Sequence, residues 1–89
     1  MADLIREHAT HVRTPEGQRF SVRTFGEARS DGRWVGWLEF EPQDRGVPLL
    51  RTEQETTQAS RDALDLWASR LEPVYLEGAF GRARVVSRR

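Results

Sequence analysis

The chain has 89 residues and no cysteine, and its 14 basic and 14 acidic residues give a formal net charge of zero. The lack of cysteine excludes disulfides, thiolate nucleophiles and cysteine-based zinc sites, and the balanced charge argues against a dedicated nucleic-acid binder, which neutralises phosphates with clustered cations. A chain of this length forms at most one domain, over residues 1–89, and buries only about 60–65% of the surface that its unfolded form exposes.

The first residues give a weak structural signal. Residues 1–10 are charged rather than apolar, so we expect no signal peptide and no membrane span, and the cytoplasm is the expected compartment. This segment is compatible with one helical turn around Leu4 and Ile5 or with a frayed, mobile end. A short strand over residues 11–14 follows, and Pro15 with Gly17 predicts a turn, because proline presets φ and glycine tolerates positive φ.

A β-hairpin is predicted over residues 20–41, where two runs rich in aromatic and β-branched residues flank Ser30-Asp31-Gly32. A two-residue loop would split the apolar residues between the two faces of the hairpin, so we predict a three-residue loop with Gly32 in the left-handed conformation. This register gives the following pairs: Val22 with Phe40, Thr24 with Leu38 and Ala28 with Trp34 on one face, and Phe25 with Trp37 and Arg23 with Glu39 on the other.

A third strand over Val47–Thr52 and a helix are predicted next. Thr56 or Thr57 is the expected cap at the start of the helix. An apolar stripe follows at helical spacing, and its members are Ala59, Ala63, Leu64, Trp67 and Leu71.

Two interpretations stay open beyond Pro73. One is a second helix over residues 74–83 with proline at its first position, and the other is a final strand over Val74–Leu76. Residues 84–89 are basic and expected to be mobile.

Together these elements predict an α+β fold. An antiparallel sheet of three to four strands carries one main helix, Ala59–Leu71, across one face, and the C-terminal segment is a helix or a strand. The expected core comprises Phe20, Val22, Trp34, Leu38, Phe40, Leu64, Trp67 and Leu71.

No pattern in the sequence indicates catalysis. His8 and His11 have no third metal ligand at a fixed spacing, so we interpret them as solvated side chains. No serine lies in a glycine-flanked elbow, and neither phosphate-binding loop motif occurs. The Glu39/Glu41 and Glu53/Glu55 pairs are interpreted as polar strand edges. We therefore expect no enzymatic activity, no catalytic residues, no metal and no cofactor.

The predicted outer face of the hairpin is the candidate partner-binding site. Its residues are Phe25, Val35 and Trp37, flanked by Arg23 and Arg33. An aromatic patch with a charged rim is typical of a surface that binds a protein partner or a second copy of the chain. Two alternatives are that residues 1–10 or 74–83 cover this face, and that Arg23, Arg29 and Arg33 make it a platform for single-stranded nucleic acid, for which the interleaved acids are unfavourable.

The stretch from Asp31 to Trp67 resembles the HicB-like antitoxin domains. The resemblance depends on Asp31-Gly32-Arg33-Trp34 at the start of the second hairpin strand, on a third strand that leads into Glu55-Thr56, and on the helix with Ala59, Ala63-Leu64 and Trp67. It implies a partial RNase H fold without catalytic acids that occludes a small toxin. The stretch is also similar to an uncharacterised bacterial domain family, and a bacterial origin with a GC-rich genome fits the use of arginine for every basic residue.

Overall fold

Six strands and two helices make up residues 1–86, the part of the chain that the computed structural model describes. In chain order they are β1 (Asp3–Arg13), β2 (Arg19–Ala28), β3 (Trp34–Pro42), β4 (Leu50–Arg51), β5 (Thr56–Gln58), α1 (Arg61–Ser69), α2 (Pro73–Arg82) and β6 (Arg84–Val85). The strands form one antiparallel sheet in the order β1-β2-β3-β4-β6, and β5 pairs with the start of β3. The predicted α+β class is confirmed, although three to four strands understates the sheet. No helix in this part of the chain is long and apolar enough to cross a membrane.

The hairpin of β2 and β3 has the predicted three-residue loop. Its register matches the prediction, with Phe25 directly opposite Trp37. The Arg29 N–H donates to the Arg33 carbonyl at 2.7 Å and closes the loop. Gly32 has a φ of 88°, a conformation that only glycine adopts without steric cost.

The first strand is longer than predicted. The expectation of a helical turn or a frayed end over residues 1–10 is wrong, because β1 covers most of this segment and pairs with β2. Two register irregularities, between Leu4 and Arg6 and between Glu7 and His11, interrupt the pairing. Such bulges disturb the alternation of inward and outward side chains, so the sequence lacks the two-residue period by which strands are recognised.

The predicted third strand over Val47–Thr52 is mostly loop. Only Leu50 and Arg51 pair with β3. Thr52 follows them and is buried: its hydroxyl oxygen accepts from the Leu38 N–H at 3.0 Å, and its own N–H donates to the Leu38 carbonyl at 2.9 Å. These two bonds continue the connection to β3 after the ladder has ended.

The main helix begins later than predicted. Thr56 and Thr57 lie in β5 and pair with the start of β3, so the expectation that one of them caps the helix is wrong. Ser60 caps α1 instead, and its hydroxyl accepts a hydrogen bond from the Ala63 N–H at 3.1 Å. This bond satisfies one of the free amides at the start of the helix.

The C-terminal segment is helical, and the alternative of a strand over Val74–Leu76 is wrong. Proline is favourable at the first position of α2, because the amide it lacks would have no partner there. Arg84 and Val85 then pair with β4 as β6. The predicted mobile end at 84–89 therefore starts with two paired residues, and residues 87–89 lie outside the described part of the chain.

Both helices pack on one face of the sheet, which we call the inner face. The Phe80 ring of α2 lies 4.9 Å from the Phe20 ring and 5.2 Å from the Phe40 ring, measured between centroids. Leu64 of α1 packs over Gly26 and Gly36, which are opposite each other in β2 and β3. The smallest dimension of the molecule is 18 Å, the thickness of one sheet and one layer of helices.

The core differs in part from the predicted one. Its buried apolar residues are Val12, Phe20, Val22, Leu38, Phe40, Leu64, Ala68, Leu76 and Ala79. Trp34, Trp67 and Leu71, which were expected in the core, are only half-buried. Small residues of the two helices take their place, because Ala68 and Ala79 let the helix backbones approach the sheet.

Candidate functional site

The face of the sheet opposite the helices, the outer face, carries a row of apolar side chains across three strands. Leu4 of β1 lies opposite Phe25 of β2, and Phe25 lies opposite Trp37 of β3. Phe25, Trp37 and the neighbouring Val35 are half-buried, whereas Leu4 is 42% exposed. We call Leu4, Phe25 and Trp37 the apolar row.

Within residues 1–86, the terminal segments leave most of the outer face uncovered, and only the N-terminal end reaches its border. The Met1 amino group lies 3.7 Å from Glu27 Oε1, and Ala2 lines a hollow with Val35 and Trp37. Residues 3–13 extend the sheet as β1, and α2 places Phe80 against Phe20 and Phe40 on the inner face. The aromatic side chains of the apolar row stay partly accessible. This face is therefore open to a molecule that approaches the sheet from the side away from the helices.

Four charged residues lie next to the apolar row and run across four adjacent strands. Glu7 is opposite Arg23, Arg23 is opposite Glu39, and Glu39 is opposite Arg51. We call these four residues the charge ladder. Their signs alternate, so each cross-strand pair is attractive, which is worth a few tenths of a kcal/mol up to about 1 kcal/mol per pair.

Direct contacts hold the charge ladder and the apolar row together. The Trp37 Nε1–H donates to Glu39 Oε2 at 3.4 Å, and the guanidinium carbon of Arg51 lies 5.7 Å from the centre of the Trp37 ring. Arg23 forms an ion pair with Glu41. These contacts limit the rotamers of Trp37 and Arg23, so the outer face is partly preorganised.

Shallow hollows flank the charge ladder. One has a volume of about 380 Å³ and is lined by Ala2, Glu27, Val35, Trp37, Arg51, Thr52, Glu53 and Gln54. A second has a volume of about 320 Å³ and is lined by Arg23, Glu39, Glu41, Pro42, Val47 and Leu49. A further hollow of about 290 Å³ lies at the Glu7 end and is lined by Glu7, His8, Ala9, His11, Ser21, Val22 and Arg23. No group of three or more His, Asp or Glu side chains suited to a metal occurs among the described residues.

Four of the five predicted site residues come together on this face: Arg23, Phe25, Val35 and Trp37. Arg33 lies one residue before β3, in the turn, where its N–H donates to the Asp31 carboxylate at 3.0 Å. It is exposed at the end of the hairpin and does not belong to the charge ladder.

The sequence reasoning missed Leu4, Glu7 and Arg51. Leu4 and Glu7 belong to the bulged strand β1, and Arg51 belongs to the two-residue strand β4. Their positions depend on pairing between distant segments, and neither segment has the regular alternation that identifies a strand. For Glu7 and Arg51 the one available signal was a charge opposite to that of the cross-strand neighbour, and for Leu4 there was none.

The two histidines lie on different faces. His8 shares a hydrogen bond of 2.7 Å with the buried Thr24 on the inner face, whereas His11 is opposite Ser21. Burial, and then the nearby positive charge of Arg6, hold the pKa of His8 below its ordinary value of 6.5. His8 is therefore half-buried rather than fully solvated as predicted.

A second polar cluster joins the loop before β5 to α2. The Glu55 side chain is only 9% exposed and accepts hydrogen bonds from the Tyr75 hydroxyl at 2.5 Å and from Arg82 Nη2 at 2.6 Å. Burial and the bond to Glu55 raise the pKa of Tyr75 to about 12. The interpretation of Glu53 and Glu55 as a polar strand edge fails for Glu55, which instead fixes α2 to the sheet.

No protein-family model, no curated protein and no solved structure matches this chain.

Proposed function

We propose that this chain is a non-enzymatic interaction module that binds a protein, either a second copy of itself or a small partner, through the outer face. The observation that carries the proposal is the apolar row beside the charge ladder on a face that neither helix covers. Soluble domains with one layer of helices commonly leave the other face of the sheet polar, whereas this face has Phe25, Val35 and Trp37 at its centre.

The composition of the face supports a protein partner. Tryptophan and arginine are the residues most enriched at the energetic centres of protein interfaces, and here Trp37 contacts Arg51. Charges at the margin of such a patch add orientation and selectivity more than affinity. The hollows are open and shallow, which suits a flat macromolecular surface better than a small molecule, since small-molecule sites enclose most of the ligand.

The alternative is a platform for single-stranded nucleic acid built from Arg23, Arg29 and Arg33 with bases stacked on the aromatic rings. The ion pair of Arg23 with Glu41 and its position opposite Glu39 weigh against this alternative. It predicts oligonucleotide binding that weakens steeply as salt rises from low to physiological concentration, which the tryptophan fluorescence of the chain would report. The absence of such binding would leave protein binding as the function.

The resemblance to HicB-like antitoxin domains, carried to this chain, implies a small toxin as the partner. That partner stays a prediction. A small toxin would have to cover the outer face, as any other protein partner would. We therefore base the test on occupancy of the face rather than on the identity of the occupant.

The lack of cysteine allows a direct test of occupancy. Val35→Cys places a single thiol at the centre of the outer face, and Leu66→Cys places one on α1, where the native side chain is 52% exposed. The rate at which a soluble thiol reagent labels each variant is measured at increasing protein concentration and with added cell extract. We expect labelling of the Val35→Cys thiol to slow as the face is occupied, whereas labelling of the Leu66→Cys thiol stays constant. Equal behaviour of the two thiols under every condition would contradict the proposed function.

A further inference from the structure

We infer that the occupant of the outer face is a second copy of this chain, packed sheet against sheet about a two-fold axis that is parallel to the strands and midway between β2 and β3. This inference rests on the proposed function and names its partner. The observation behind it is the order of signs in the charge ladder.

The charge ladder has an even number of members, and their signs alternate from Glu7 to Arg51. A two-fold axis along the strands lays the ladder of one copy on that of the other in reverse order. Reversal of an even, alternating series sets every charge against its opposite. Glu7 then faces Arg51 of the second copy, and Arg23 faces Glu39 of the second copy. A two-fold axis across the strands would instead set each charge against its own copy, which is repulsive.

The same axis brings the aromatic residues of the two copies together. Phe25 and Trp37 lie opposite each other on β2 and β3, one on each side of the axis. In the dimer, Phe25 of each copy therefore faces Trp37 of the other, and an aromatic pair is worth about 0.5–1.5 kcal/mol beyond the area it buries. The apolar row thus supplies affinity, and the charge ladder fixes the register.

The geometry of the sheet suits this arrangement. An axis along the strands keeps the strand directions of the two sheets aligned, as in aligned sandwiches. The three long strands β1, β2 and β3, spaced about 4.8 Å apart and at least nine residues long, cover a plane of roughly 430 Å², which the short strands β4 and β5 extend beside β3. The interface is therefore smaller than the roughly 800 Å² per partner of a standard one, which suits a dimer that dissociates on dilution. The zero net charge of the chain adds no long-range repulsion.

The free edge of β1 is a less suitable surface for self-association. Bulges and charged side chains are the features by which natural proteins prevent pairing between sheet edges. β1 has two register irregularities and carries Arg6, Glu7 and Arg13 among its charged residues. Face-to-face packing is therefore favoured over a sheet that continues from one copy to the next.

Two single charge reversals test the inference. Arg23→Glu sets a glutamate against Glu39 of the second copy, and Glu39→Arg sets an arginine against Arg23 of the second copy, in each case twice by symmetry. Each variant alone should have a dimer dissociation constant raised by about 100-fold or more. In an equimolar mixture, however, each position of one variant meets an opposite charge in the other. We expect light scattering to report monomers for each variant alone and dimers for the mixture.

The double variant Arg23→Glu/Glu39→Arg keeps the attraction between positions 23 and 39, within the sheet and between the two copies, and should form dimers by itself, although it sets like charges beside Glu7 and Arg51. It serves as the folding control, together with the far-ultraviolet circular dichroism of every variant. Three results would overturn the inference: a wild type that stays monomeric at every concentration, single variants that still dimerise alone, or a mixture that stays monomeric. Slower labelling of the Val35→Cys thiol with cell extract, beside a monomeric wild type, would leave the proposed function standing with a different partner.

Discussion

Gly36→Ala tests the packing that joins α1 to the sheet. A Cβ at Gly36 would lie 2.6 Å from Leu64 Cδ1, closer than such atoms approach in proteins. Leu64 is fully buried and packs on Gly26 as well, so it has little room to move. We expect the substitution to lower the free energy of unfolding by about 1–3 kcal/mol, the usual cost of overpacking a core.

The sign of the effect should reverse once Leu64 is shortened. Leu64→Ala alone should cost about 2–5 kcal/mol. Leu64→Ala removes both Leu64 Cδ atoms, so the nearest remaining atom to a Cβ at position 36 is Thr56 Cγ2 at 3.3 Å. A contact of that length is tight but tolerable. Alanine also loses less backbone freedom than glycine on folding, a gain of about 0.5–1 kcal/mol. Gly36→Ala should therefore be neutral or stabilising in the Leu64→Ala protein.

Urea denaturation followed by tryptophan fluorescence gives the four free energies of this double-mutant cycle. Gly81→Ala in α2 is the matched control, because no atom lies within 4 Å of the added Cβ, and it should leave stability unchanged or raise it by up to about 1 kcal/mol. An equal cost of Gly36→Ala in both backgrounds would refute the account of Leu64 packed against the paired glycines.

The environments of Tyr75, Trp67 and His8 determine how stability responds to pH and to substitution. Tyr75 is the one tyrosine of a chain without lysine or cysteine, so tyrosinate absorbance should report its pKa of about 12, and Glu55→Gln should lower that pKa. The stability that this raised pKa provides should be lost as the pH rises from about 10, the unfolded value, to about 12. A midpoint at the unfolded value would show that the bond to Glu55 is not formed. Trp67→Ala should lower the free energy of unfolding, measured by urea denaturation, by about 1–3 kcal/mol, because Trp67 is half-buried. A loss of about 3–5 kcal/mol, as for a fully buried tryptophan, would place Trp67 in the core. Because the folded-state pKa of His8 is lowered, the wild type should lose stability as the pH falls below 6.5, and the His8→Gln protein should lose less stability over the same range. Equal losses in the two proteins would rule out His8 as the source of the pH dependence.

The hairpin could be predicted from the sequence because its determinants are local. The turn at Gly32 and the alternation on either side are enough to fix the register, and with it the neighbourhood of Phe25 and Trp37. Pro73 favoured the second helix in the same way, although the sequence left a strand over Val74–Leu76 open. In each case the residues that specify the structure lie within a few positions of one another.

The rest of the fold depends on contacts between distant segments. Gly26 and Gly36 signal weak strand propensity in the sequence, yet in the fold they make room for Leu64. The bulges of β1 hide its strand character, so Glu7 could not be placed beside Arg23 in advance. The positions of Glu7 and Arg51 in the charge ladder could therefore not be predicted from neighbouring sequence, whereas those of Arg23 and Glu39 follow from the predicted hairpin.

The solution mass of the wild type over a wide concentration range, measured beside that of Trp37→Ser, shows whether the outer face is a self-association surface. If the outer face is a self-association surface, the wild type forms a dimer that dissociates on dilution. The Trp37→Ser protein is then monomeric throughout yet still folded, with a free energy of unfolding lowered by about 1–3 kcal/mol, because Trp37 is half-buried like Trp67. A dimer that persists unchanged in Trp37→Ser would contradict the role of this face, and a wild type that is monomeric at every concentration would contradict self-association.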